Sequence, residues 1–166
     1  MSPYACTLGE MAKAFCTSRT RITIFKGLLN YRKRLAQLGF VSGFQWLSGS
    51  FLEAIEQIER REPRDVDLVT FCSTPTQYQT SAEVQDLIQR NPDVFNIARA
   101  KQVFHCDPYF VDFGFGPRHV VLQTRYWFGL FSHRRGGLWK GLLEVPLALS
   151  QDDTDAEAFT DGLNFT

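Results

Sequence analysis

The four cysteines form no C-x-x-C pair, and the three histidines show no metal-binding helical spacing. No apolar run approaches the roughly 20 residues that a membrane helix needs. These absences exclude a recognisable zinc site, a thiol-redox motif and a membrane-spanning helix, and no nucleophile-and-base triad stands out. The N-terminus lacks the basic-then-apolar pattern of a secretion signal, so a soluble, cytoplasmic protein with buried or indifferent thiols is expected. Basic residues are missing from one stretch: 150–166 carries Asp152, Asp153, Asp155, Glu157 and Asp161 but no Lys or Arg. With few apolar side chains to bury, it is expected as a mobile acidic tail following a single domain of residues 1–149.

The chain has 166 residues, 44% hydrophobic and 14% aromatic, enough for one packed core and too apolar for general disorder. Charge is balanced at 18 basic and 18 acidic residues; without the five acids of the tail, 18 basic face 13 acidic, a net +5. A modestly basic body suits a polyanionic nucleotide but does not demand a long nucleic acid.

The most informative segment is Gly49-Ser50, followed after fourteen residues by Asp65-Val66-Asp67-Leu68-Val69. Side chains alternate along a strand, so Asp65 and Asp67 point the same way, with Cα atoms about 6.5–7 Å apart. Two such carboxylates can divide a pair of hard cations, which sit roughly 3.5–4 Å apart where phosphoryl groups are displaced in line. The apolar, β-prone Leu68 to Cys72 continues Asp67 into a core, and Phe44 to Leu47 reads as a neighbouring strand ending in the small residues Ser48-Gly49-Ser50. Alone, an Asp-x-Asp pair is more often a solvated turn; the two flanking strands favour a pocket.

A strand, Gly-Ser, a spacer and then Asp-h-Asp-h resembles the polymerase-β-like nucleotidyltransferase superfamily. The likeness extends through Thr7 to Phe15, Arg21, Gly27 to Leu29, and Trp127-Phe128 to Lys140-Gly141. That pattern is similar to short bacterial nucleotidyltransferases of largely unassigned function, associated with antiphage defence (Hailong type). The resemblance implies an α/β (α+β) fold, a small mixed sheet backed by helices on one face. It also implies that Gly49 and Ser50 grip a nucleoside triphosphate while Asp65 and Asp67 bind Mg²⁺ or Mn²⁺, two ions in all. The implied third carboxylate is Asp107, with Asp112 as the alternative; five residues apart on one strand, only one of them can join the site. Pro108 beside Asp107 implies a sheet edge or a bulge. Lys140 is assigned to the nucleotide phosphates, while Arg134 and Arg135 read equally as a solvated loop. The fourteen-residue spacer is slightly longer than usual for the superfamily.

The implied activity is template-independent nucleotidyl transfer with pyrophosphate release, giving a single-stranded oligonucleotide in antiviral defence, with the hydroxyl of Thr166 as a candidate acceptor in cis. Two alternatives stand beside it: a toxin–antitoxin enzyme modifying a protein or tRNA, with a partner effector or toxin, and an inactive nucleotide-binding module.

Helical spacing marks Leu8 to Phe15 and Ile24 to Leu38, the latter with Arg32, Lys33 and Arg34 toward a polar side. Ser50-Phe51-Leu52-Glu53 fits a capping box opening a helix through Ile55 and Ile58 to Pro63. Further helices are expected over 81–89, 91–101 and 118–131, the last with Tyr126, Trp127, Phe128 and Phe131 in the core. A final strand containing Lys140-Gly141 is expected within 138–149.

Overall fold

In the computed structural model, which describes residues 2–134 and 136–163, the chain forms a five-stranded mixed sheet with helices on both faces. Along the chain the elements are β1 (Tyr4–Ala5), α1 (Leu8–Phe15), α2 (Arg19–Gln37), β2 (Gly43–Ser48), α3 (Ile55–Ile58) and β3 (Val66–Cys72). They continue with α4 (Ser81–Arg90), α5 (Pro92–Phe95), α6 (Ile97–Phe104), β4 (Cys106–Asp112), α7 (Pro117–Phe131), β5 (Leu143–Pro146) and α8 (Gln151–Asp161). Strand order is β1-β5-β2-β3-β4, with β2 antiparallel to both neighbours and β3 parallel to β4. The mixed α/β architecture agrees with the expectation, and β4 lies at an edge, where Pro108 removes no needed ladder donor.

Strand alternation splits the core into two layers. Leu47, Val66, Leu68, Cys72 and Val145 pack with α1 and α2, among Met11, Phe25, Leu28 and Leu35. Trp46, Val69, Phe71 and Val111 face the other way and meet Trp127 and Phe131 of α7. Helices therefore cover both faces rather than one. Asp67 shares the parity of Val69 and so lies on the α7 side.

α1 begins where Thr7 accepts from the Glu10 N–H and the Glu10 side chain accepts from the Thr7 N–H, a reciprocal cap. α2 starts earlier than expected, with Ser18 as its cap. Gly27 of α2 lies against the Phe104 carbonyl, a contact that leaves no room for a Cβ and brings α6 close. Residues 91–101 do not form one helix: Asn96 interrupts them in an extended conformation and caps α6 instead.

The structure also corrects the expectation of a mobile tail. Residues 151–161 form α8, whose acids dock on α1 and α2. Asp152 accepts from the Leu8 and Gly9 N–H groups at 2.5 and 3.1 Å, while Glu157 and Asp161 pair with Lys33 and Lys26. Arg32, expected on a polar side, is buried. It donates to Asp153 at 2.9 Å and to Gln45 at 2.8 Å, and Gln45 donates to Thr70. Charge pairing, invisible from local composition, orders the acidic segment. Thr166 lies outside the described residues.

Two further expectations fail on α7 and after it. Trp127 and Phe131 are buried, but Tyr126 is 59% exposed and Phe128 half-buried, because the sheet receives only a narrow stripe of the helix. Lys140 precedes β5 rather than lying in it, in a loop closed by a His133–Trp139 bridge. Among the described residues, no helix is long and apolar enough to cross a membrane.

Candidate functional site

The parallel register of β3 and β4 sets Asp67 directly opposite Asp107, and the antiparallel register of β2 sets Ser48 on the other side of Asp67. Asp65 stands immediately before β3. Gly49 then leaves β2 at φ +88°, where a Cβ would fall 2.8 Å from Asp67 Oδ2, so the backbone bend lies against that carboxylate. Gly49, Ser50, Asp65, Asp67 and Asp107 are thus brought to one end of the β2–β3–β4 sheet. Asp112 is not: it lies opposite Cys72 at the far end of β4, where it accepts from Thr74 Oγ1 at 2.5 Å and the Gly114 N–H at 2.7 Å. These bonds make it a turn residue.

The capping box expected at Ser50 does not form. Residues 50–52 make one 3-10 turn with no side-chain cap, and α3 is a separate single turn. Ser50 therefore opens no helix whose positive dipole end could meet an anion. Arg21 holds the bend instead: its guanidinium donates to the Phe51 and Glu53 carbonyls at 2.7 and 2.6 Å and to both oxygens of Glu56. A planar fork with five donors suits this role. Its hydrogen bonds lower the pKa of the Glu56 carboxyl.

Glu53, released from capping, pairs with Lys140 at 3.3 Å and with Arg134. Lys140 thereby stands at the site, close enough that its charge acts on Asp67. Arg135 lies outside the described residues.

Lys101 carries no signal in the sequence, yet its Nζ lies 2.7 Å from Asp107 Oδ2 and 3.4 Å from Asp65 Oδ2. It sits in the last turn of α6, and His105 in the left-handed conformation turns the chain from α6 straight into β4. The hydrogen bond to Asp107 raises the pKa of the lysine. Tyr109, two residues beyond Asp107 on the same face, has its hydroxyl pKa raised by burial and then by the Asp107 charge. Its position could be read from alternation; that of Lys101 depends on how α6 packs.

Burial, followed by the charges of Asp65 and Asp107, pushes the Asp67 carboxyl up to about 6. One oxygen of Asp107 is buried with no hydrogen-bond partner among the described residues. Among the described residues, no three His, Cys, Asp or Glu side chains are gathered as a ready-made metal group. The donor chemistry nevertheless fits a hard cation: carboxylate oxygens only, one of them unsatisfied, with one lysine already drawn in as a positive charge.

Residues 2–146 match the profile of a family of unknown function, DUF6932. The chain belongs to this family. The matched span contains Gly49, Ser50, the three acids, Lys101 and Lys140, and ends before α8. No curated protein and no solved structure matches the chain.

Proposed function

We propose that the β2–β3–β4 mouth is the active centre of a metal-dependent nucleotidyltransferase. A nucleoside monophosphate would pass from a nucleoside triphosphate to an acceptor hydroxyl, with release of pyrophosphate. The observation that carries this reading is the meeting of Asp65, Asp67 and Asp107 beside the bend at Gly49, with Lys101 bridging two of the acids.

Asp65, Asp67 and Asp107 would hold Mg²⁺ or Mn²⁺. Bound there, the cations would neutralise the phosphates and favour the ionised acceptor. The bend presents backbone and the Ser50 hydroxyl to the triphosphate, and Lys140 adds a positive charge for the departing pyrophosphate. A new bond joins the acceptor oxygen to the α-phosphorus as the bond to the bridging oxygen breaks, and the acceptor proton leaves toward Asp107 or solvent. Positioning and electrostatics suffice for such a transfer, so no nucleophilic side chain is required.

A second reading is a nucleotide-binding module without turnover. It is favoured by the Lys101 ammonium, which offsets part of the charge of Asp65 and Asp107 without a metal ion. Incubation with each labelled nucleoside triphosphate and Mg²⁺, with and without RNA, followed by mass spectrometry of the products, separates the two. Pyrophosphate release with free oligonucleotides supports template-independent synthesis, and label on protein or tRNA supports modification of a macromolecule. Nucleotide binding without pyrophosphate overturns transfer and leaves the module.

A further inference from the structure

We infer that Glu53 is a positioning residue that gathers Arg134 and Lys140 into a polyphosphate-binding claw over the bend at Gly49. The inference rests on the proposed nucleotide site and adds how its cationic wall is built. Glu53 follows the 3-10 turn directly, and its backbone carbonyl is held by Arg21 at 2.6 Å. Its side chain is only 11% exposed, and its two oxygens meet Lys140 and Arg134, one each.

The loop that supplies those cations is held locally, by its own backbone bonds and by Trp139, whose ring lies 4.2 Å from that of His133 and 6.3 Å from that of Phe128 between centroids. Leu138 and Trp139 are 65% and 71% exposed, so apolar burial contributes little to its order. Its internal bonds, Arg134 N–H to the Leu138 carbonyl and Lys140 N–H to the Ser132 carbonyl, each 2.8 Å, define its shape. Glu53 ties that shape to the bend. A nearly buried carboxylate facing two cations is compensated in charge and leaves a net positive pair for a multiply charged anion. Arg offers a planar fork to phosphate oxygens and Lys a mobile point charge, a combination suited to tripolyphosphate.

The test rests on a sign. By charge alone, Glu53→Gln removes a negative group beside an anion site and should tighten anion binding. By positioning, the same change frees the loop and weakens it. Calorimetric titration of metal-free protein with inorganic tripolyphosphate should show E53Q weakened about five- to tenfold. Glu53→Asp should recover part of that loss, and Arg90→Ala, on the remote exposed end of α4, should match the wild type. Amide exchange over 136–141 should accelerate in E53Q.

Unchanged or tighter binding by E53Q, or no tripolyphosphate binding by the wild type, overturns the claw. Triphosphate turnover is measured in parallel to separate the two ideas. Turnover that survives with unaltered KM in E53Q sinks the role of Glu53 and spares nucleotidyl transfer. Tripolyphosphate binding that E53Q weakens, in a protein without turnover, does the reverse.

Discussion

α8 and the β2–β3–β4 mouth both concentrate carboxylates, yet only on α8 does every acid have a hydrogen-bonding or ionic partner. On α8, Asp152 accepts two backbone N–H groups, Asp153 and Glu157 pair with Arg32 and Lys33, Asp155 accepts from Gln151, and Asp161 meets Lys26. At the mouth, Asp65 and Asp107 share Lys101, one oxygen of Asp107 has no hydrogen-bond partner among the described residues, and the Asp67 carboxyl is pushed up to about 6. Density of acid is therefore no guide to function. An acid whose partners are present holds structure, whereas the acids crowded together with too few partners are those proposed to receive an external cation.

Breaking each region should have opposite consequences. The largest effect is expected from Asp153→Ala, which strands the Arg32 guanidinium beside Gln45 in the core. Urea unfolding should show a loss of about 3–5 kcal/mol, and a loss below about 1 kcal/mol would mean that α8 is not anchored by this pair. Next comes Asp67→Asn, for which turnover should fall about a hundred- to a thousandfold, while the cation-free protein becomes more stable at neutral pH because a repelling charge is gone. Unchanged turnover would remove Asp67 from the mechanism.

A smaller effect should follow pH. The Asp67 carboxyl titrates near 6 in the folded chain against an ordinary 3.8, so the folded state binds this proton more tightly. Its contribution to stability is complete below about pH 4 and is lost as pH rises through about 6, a decline of about 1–3 kcal/mol. Thermal melts of metal-free protein at pH 5 and 7.5 should show it; Asp67→Asn should flatten it, and Mg²⁺ should restore stability at the higher pH. An equal decline in D67N would assign the slope to other groups. The smallest change is expected from Gly49→Ala, about 1–2 kcal/mol from the unfavourable φ, with cation affinity reduced because the new Cβ presses on the Asp67 carboxylate. Mn²⁺ titration reads that loss, and unaltered affinity would show the bend to be independent of the cation.

The parts of this architecture that were legible in advance are the local ones. β2 follows from Phe44 to Leu47 and β3 from the apolar run after Asp67; α1 was readable to its bounds because spacing and cap coincide. Resemblance favours Asp107 over Asp112, and the two lie at opposite ends of β4, Asp107 in register with Asp67. The errors share one cause. Ser50 and Glu53 match a capping box, but Lys140, nearly ninety positions later, draws the Glu53 carboxylate into an ion pair, and Arg21, about thirty positions earlier, holds the Glu53 carbonyl. Tyr126 and Phe128 looked like core because aromatic content says nothing about which stripe of α7 meets the sheet.

By itself, the amino-acid order determined the strands β2, β3 and β5, the starts of α1, α4 and α7, and that Asp65 and Asp67 share a face, since these depend on alternation, helical period and caps within a few residues. Tertiary structure alone decided that Asp107 stands opposite Asp67, that Lys101 bridges Asp107 and Asp65, that Glu53 holds the loop of Lys140, and that the acidic end folds as α8. Each of those outcomes is a contact between distant segments. Electrostatic pairing and sheet register are set by distances in space, and distance along the chain does not encode them.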